Sequence, residues 1–207
     1  MPEQVFRDVL PLLWLCLVGG IAANRWYVRR RIGRDPVLIQ PVRRPGPEGH
    51  LERVLVACVL TLTADIVMNA RNPEMVAASL GFRAIRDSGW VGYVGLGMLA
   101  SAALLGAVAI LQMGLSWRIG IDTTAPGPLV SRGVYARIRH PIYSAMLLAT
   151  TGTAAITADA LSIAVAAAAL VAVPMQARLE EAFLLSRYPE EYSSYVERKG
   201  RFWPRGR

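Results

Sequence analysis

The feature that most constrains this chain is a stretch of eighteen residues without a formal charge, from Pro141 to Ala158. A helix rises about 1.5 Å per residue, so this stretch climbs roughly 27 Å, close to the hydrocarbon thickness of a bilayer. Four further apolar runs approach the same length, at about 9–27, 53–70, 89–113 and 160–180. Hydrophobic residues make up 54% of the 207, and they are gathered into these runs instead of being spaced for one-sided burial. The expected fold class is all-α: a polytopic integral membrane bundle of about five transmembrane helices.

The first run ends in "GGIAAN", small residues of the kind found at a leader cleavage site. Its flanks oppose that reading. Glu3, Arg7 and Asp8 precede it and "NRWYVRRRIGR" follows it, the reverse of a leader's charge order. A retained first helix is therefore expected. Cys16 and Cys58 both fall in apolar runs, where a thiol behaves as a small hydrophobe.

The net charge of +8 is carried almost wholly by arginine. Eight arginines (25, 29, 30, 31, 34, 43, 44 and 53) lie between or at the edges of the first two runs, against three acids. Loops rich in arginine stay in the cytoplasm. The expectation is a cytoplasmic (inner) membrane protein with its amino terminus outside and its carboxy terminus cytoplasmic. A pI near 10.2 would suit nucleic acid, but the basic residues track membrane boundaries and form no recognition module. Anionic membrane lipids are the expected counter-charges, with no nucleic acid partner.

The connection "GRDPVLIQPVRRPGPEGH" holds four prolines and three glycines and is expected to be irregular. Ala102, Gly106 and Ile110 form a stripe in the third run suited to close helix packing. Asp65 stands at membrane depth and must face protein or water, with no partner nameable from sequence. Pro174 interrupts the fifth run and removes one helical hydrogen bond.

The last two runs are joined by the short "TADA" turn, so they form a hairpin and their far ends share one membrane face. Pro141 suits a first helical position, which puts Arg139 and His140 at the helix entrance. The return helix regains that level near "QARLEEAFLL". The hairpin thus collects Arg139, His140 and Tyr143 with Arg178, Glu180 and Glu181. A guanidinium matches a carboxylate and a glutamate an ammonium, so the set suits a zwitterion. Adjacent glutamates point about 100° apart on a helix, so one of Glu180 and Glu181 is expected to bind while the other pairs with an arginine or meets water.

These residues also resemble a known family. "RHPIY" (Arg139, His140, Pro141, Tyr143), "EEAFL" (Glu180, Glu181, Leu184) and "YSSY" (Tyr192, Tyr195) look like the carboxy-terminal half of the isoprenylcysteine carboxyl methyltransferases and the related phospholipid N-methyltransferases. The resemblance runs from about Met113 to Pro204. It departs at Gly133-Val134-Tyr135, where the family has Gly-Pro-Tyr, and at Lys199-Gly200, where it has Val-Pro. It implies two regions: 1–112, three transmembrane helices and a cytoplasmic loop, and 113–207, a methyltransferase-like part with the hairpin and tail.

What the resemblance implies is S-adenosyl-L-methionine as cofactor, bound by Tyr135, Arg139, His140, Tyr143, Glu180, Glu181, Tyr192 and Tyr195. Methyl transfer would go to a lipophilic acceptor from the bilayer. Arg139 and His140 would be the catalytic residues, Arg139 positioning an acceptor carboxylate and His140 serving as cofactor ligand or, for an amine acceptor, as base. No metal is called for, since the two histidines, His50 and His140, show no ligand spacing. Two other readings stand beside this one: an NADPH-dependent sterol-type membrane reductase, and a non-catalytic membrane accessory protein.

Overall fold

The computed structural model describes residues 2–37, 47–79, 89–120 and 128–205. Arg43, Arg44 and most of the first connection lie outside the described residues, as does the whole arginine-bearing segment 80–88. The helices are α1 (Pro2–Ile32), α2 (Pro47–Arg71), α3 (Pro73–Ser79), α4 (Trp90–Met113), α5 (Pro141–Thr157), α6 (Ala160–Arg187) and α7 (Pro189–Arg198). Each of the five apolar runs is a helix. By length and composition Gln4–Ile32, Trp90–Ser116 and Ala160–Arg187 can cross a membrane. The other two long helices are polar within (α2) or only 17 residues (α5).

Local chemistry sets the ends. α1 closes on Arg29, Arg30 and Arg31, cations at the negative end of the helix dipole, and then on Gly33 at φ 71°. Pro141 opens α5 with His140 as the capping residue, and α5 stops where Ala158 turns left-handed. Asp159 then caps α6 by accepting a hydrogen bond from the Ser162 N–H at 2.8 Å. The hairpin turn is therefore two residues, Ala158 and Asp159.

α4 and α5 make the closest helix crossing. A Cβ on Gly95 would sit 2.6 Å from the Gly152 carbonyl oxygen, and one on Gly152 would sit 2.8 Å from that of Gly95. Further along, the small-residue stripe is buried at Ala102 and Gly106, the latter against Ala145, while Ile110 is half-buried.

α2 lies antiparallel against α6. Asn69 of α2 meets Asp159 at the start of α6, and Leu55 packs against the cluster of Leu147, Ala169 and Val173. Moving from 69 to 55 on one helix thus matches moving from 159 towards 169 and 173 on the other. Asp65 acquires a partner in this way: the Asn69 side-chain N–H₂ donates to Asp65 Oδ1 and to Asp159 Oδ2, both at 3.2 Å, and all three residues are buried.

Candidate functional site

At the opposite end of α6 from Asp159, the chain folds back on itself. After α7 the segment Gly200–Phe202 runs beside the entrance of α5: the N–H groups of Arg139 and His140 donate to the carbonyls of Gly200 and Arg201 at 2.9 and 3.0 Å. The Ser144 hydroxyl donates to the Phe202 carbonyl at 2.6 Å. Gly200 is required here, because a Cβ would collide with the Trp203 carbonyl oxygen. The departure from Val-Pro at Lys199-Gly200 thus has a local structural use.

This return brings in Arg201, which sequence reasoning did not single out. Its guanidinium donates from Nε and Nη2 to the two carboxylate oxygens of Glu181, at 3.0 and 2.6 Å, the two-pronged geometry that fits this pair best. Its only sequence signal was one arginine beside aromatics in "GRFWP". The same Glu181 carboxylate lies 3.1 Å from His140 Nε2 and 2.9 Å from Arg139 Nη1. His140 Nδ1 faces Glu180 at 3.7 Å. Of the two glutamates, then, Glu181 is the structural pairer and Glu180 the less occupied one.

Arg139 is nearly enclosed, its side chain 10% exposed. Its Nη1 is close to Glu181 but badly aligned, and neither Nη1 nor Nε makes a hydrogen bond among the described residues. Arg178, expected at the mouth, is exposed.

The tyrosines divide. The Tyr195 hydroxyl donates to the Tyr135 carbonyl at 2.6 Å, and the Tyr135 hydroxyl donates to the Met113 sulfur at 3.4 Å, so both hydroxyls brace the fold. Gln112 accepts from the Val134 N–H at 2.7 Å and holds the turn at Gly133, where φ is 63°. Tyr143 stacks on the His140 ring at 5.5 Å between centroids. Tyr192 is 1% exposed and its hydroxyl has no partner among the described residues. Burial raises the phenols of Tyr135, Tyr192 and Tyr195, the last to about 12, so near neutral pH these groups are hydrogen-bond donors and not bases. Glu181 in turn raises the Arg201 guanidinium.

Two more buried polar residues adjoin the site. Gln176, one and a half turns before Glu181, is 2% exposed, with Oε1 unpartnered among the described residues. Glu52 of α2 is 3% exposed. Neither carries a sequence signal; only the α2–α6 packing brings them here.

The fold and site define an all-helical integral membrane protein whose charged centre sits at the open end of a helical hairpin, sealed by the tail. The sequence model of the isoprenylcysteine carboxyl methyltransferase family matches residues 94–186, just under half of the chain. Tyr192, Tyr195, Arg201 and Glu52 lie outside the match. The cobalt-zinc-cadmium resistance protein CzcN of Cupriavidus metallidurans is 35% identical over 133 residues, 63% of this chain and 59% of that protein. Protein-S-isoprenylcysteine O-methyltransferase B of Arabidopsis thaliana is 30% identical over 129 residues, 60% of this chain and 65% of that protein. A probable protein-S-isoprenylcysteine O-methyltransferase of rice is 28% identical over 155 residues, 72% and 81% of the two chains. The chain thus spans less than two thirds of the first two relatives. The solved structure of the eukaryotic intramembrane Ras methyltransferase ICMT matches with a TM-score of 0.54 at 19% identity, over 98% of this chain and 75% of that one, which shows a shared fold.

Proposed function

We propose that this protein is an S-adenosyl-L-methionine-dependent methyltransferase that esterifies a carboxylate on a lipophilic, isoprenylcysteine-type acceptor drawn from the bilayer. The observation that carries this is Arg139: a nearly enclosed guanidinium with unsatisfied N–H groups, beside a carboxylate already paired by Arg201. A buried cation with spare donors calls for an anionic ligand group. With the orphaned Tyr192 hydroxyl and Gln176 carbonyl oxygen, the residues fit a polar ligand with both donors and acceptors.

When bound, S-adenosyl-L-methionine supplies a methyl group already activated on a sulfonium that departs as a neutral thioether. The protein's task is alignment and exclusion of water. Arg139 holds an anionic group, Tyr192 donates a hydrogen bond and the returning segment Gly200–Phe202 closes the site. Both His140 nitrogens face carboxylates, and a carboxylate acceptor has no proton to remove. His140 therefore orients Glu181 and offers Tyr143 a stacking surface; it is not needed as a base.

The same reading takes α1, α2, α4, α5 and α6 as five spans, the amino terminus outside, and the site at the cytoplasmic side of an inner membrane. Region 113–207 carries most of the site, and α2 of region 1–112 contributes to it. The test is incubation of membranes containing the protein with S-adenosyl-L-[methyl-³H]methionine and N-acetyl-S-farnesylcysteine. Counts that become volatile methanol after alkali are expected, and Arg139→Ala should abolish them. Label found only in alkali-stable lipid would replace the carboxylate with an amine acceptor. A melting temperature raised by NADPH and not by S-adenosylhomocysteine would favour the reductase reading.

A further inference from the structure

The end of the bundle opposite the charged centre holds a second polar cluster, which methyl transfer does not use. Four helices converge there on a cavity of about 40 Å³, lined in part by Phe6 and Arg7 of α1, Asn69 of α2, Gly92 of α4 and Thr157 of α5. That is room for a few water-sized groups. Arg7 is exposed, whereas Asn69 and Thr157 are buried. The guanidinium therefore marks the mouth, and the amide and hydroxyl mark the floor.

Behind the floor stands negative charge. The Asn69 N–H₂ donates to Asp65 Oδ1 and Asp159 Oδ2, both at 3.2 Å, and the Ser162 N–H donates to Asp159 Oδ1 at 2.8 Å. All of these donors are neutral. Asp65 is 1% and Asp159 0% exposed, and Asp65 Oδ2 has no hydrogen-bond partner among the described residues. Two enclosed carboxylates answered by neutral donors leave a negative potential that their low-dielectric surroundings screen weakly. Asn69 spends its N–H groups on the acids, so what it has to offer a ligand is its carbonyl oxygen. The Thr157 hydroxyl is directed at Ser162 Oγ, 2.7 Å away, and at the Thr153 carbonyl, 3.2 Å away, which leaves it lone pairs to accept with. The floor thus suits a cationic donor and the mouth an anion.

The depth of the cavity says what carries such a pair. Phe6 meets Tyr93 edge to face at 5.1 Å. Tyr93 and Trp90, at the start of α4, are exposed, aromatic side chains of the kind that ring a membrane protein at the level of the lipid headgroups. Val5, Leu12 and Leu15 of α1 are exposed as well and give acyl chains an apolar surface beside the mouth.

We propose that this cavity binds the headgroup of a phospholipid bearing a primary amine, with its phosphate on Arg7 and its ammonium on Asn69 and Thr157, in the field of Asp65 and Asp159. A guanidinium matches a phosphate. A quaternary ammonium has no N–H to give the floor and is bulkier by its methyl groups, so an ethanolamine-type headgroup is selected over a choline-type one. The assignment is independent of the methyltransferase reading and of the compartment this end faces.

The test is native mass spectrometry of the full-length protein, delipidated in detergent and offered equal amounts of phosphatidylethanolamine, phosphatidylcholine and phosphatidylglycerol with the same acyl chains. The wild type should retain the ethanolamine lipid by about tenfold or more over each of the others, the scale of hydrogen bonds to a charged group. Arg7→Gln should weaken the ethanolamine and choline lipids alike, since both carry the phosphate. Asn69→Leu should bring their ratio to about threefold or less, and Asp65→Asn, which keeps the shape of its side chain and guards against misfolding of the leucine variant, should lower it part way. Soluble O-phosphoethanolamine at equal concentration should leave the lipid bound. No preference for the ethanolamine lipid in the wild type, or a ratio unchanged in Asn69→Leu or Asp65→Asn, overturns the assignment. Displacement by O-phosphoethanolamine overturns the lipid as occupant.

Discussion

Glu181 illustrates how one side chain can hold several elements at once. It joins α6 to the entrance of α5 through Arg139 and His140, and to the tail through Arg201. Replacing it with alanine leaves two guanidinium groups near an empty site, and removing one partner of a buried pair costs about 3–5 kcal/mol. Glu181→Ala should therefore lower the unliganded melting temperature in detergent by more than Arg201→Ala does, since the Arg201 side chain is 31% exposed and can turn to water. Equal melting temperatures would show that the carboxylate does not organise the site. At the other end, Asp65 and Asp159 approach one another around a single Asn69 amide. The two enclosed carboxylates repel one another across that amide. Asp65→Asn, which keeps the shape and an acceptor oxygen for Asn69 while removing one of the two acids, should retain the wild-type melting temperature, whereas Asp159→Ala also removes the α6 cap and should cost about 1–2 kcal/mol or more. Arg139, His140, Glu180 and Glu181 were legible in the sequence, because their motifs lie at the ends of a hairpin whose turn is obvious. Arg201, Gln176 and Glu52 were not, since each acquires its neighbours only through tertiary packing. Asp65 went unpartnered although its donor, Asn69, lies one turn on in α2; what only the fold reveals is Asp159, 90 positions beyond Asn69, on the same amide.

Helix positions were well encoded because proline, glycine and charge punctuate them. The expected third run, 89–113, appears as Trp90–Met113 between two left-handed glycines, and the expected fourth begins at Pro141 as its proline requires. What the pattern did not reveal is how closely α4 and α5 approach. Ala102 and Gly106 were visible as a packing stripe, but the tightest contact is Gly95 on Gly152, where each backbone fills the space of the other's missing side chain. Any side chain at Gly152 must push the helices apart, and overpacking of this kind costs about 1–3 kcal/mol. Gly152→Val should lower the melting temperature accordingly, while Gly97→Val, on the same helix pair where a Cβ meets nothing within 4 Å, should leave it nearly unchanged. Gly200→Val makes a related point at the tail. Any side chain at Gly200 would strike the Trp203 carbonyl, displacing the segment that holds Arg201 and weakening S-adenosylhomocysteine binding together with stability.

Over the whole molecule, hydropathy alone undercounts the long helices because the charges of α2 are directed inward. Glu52 and Asp65 are buried at 3% and 1% exposure, so they lower the average of the helix without facing lipid, and a helix is disqualified by its protein-facing side. The antiparallel packing of α2 on α6 and the two-residue α5–α6 turn then fix relative directions. Glu52, His140 and Glu181 lie at one end of the bundle, with Asp65, Asn69 and Asp159 at the other. The arginines closing α1, including Arg30 stacked 4.3 Å over Trp26, lead into α2 and so mark the Glu52 end, the end that the proposed topology puts in the cytoplasm. With five crossings the two termini must face opposite compartments; with the three most apolar helices alone as spans they would also do so, but α2 and α5 would then have to fold back within one leaflet. Single cysteines separate these arrangements once Cys16 and Cys58 are replaced by serine. Exposed Gln4→Cys should react with a membrane-impermeant maleimide in intact cells, and exposed Ser194→Cys only after permeabilisation. Arg71→Cys, at the far end of α2, should behave like Gln4→Cys if α2 crosses, and like Ser194→Cys if it turns back, so the labelling of that one position decides whether the inward-facing charges belong to a true span.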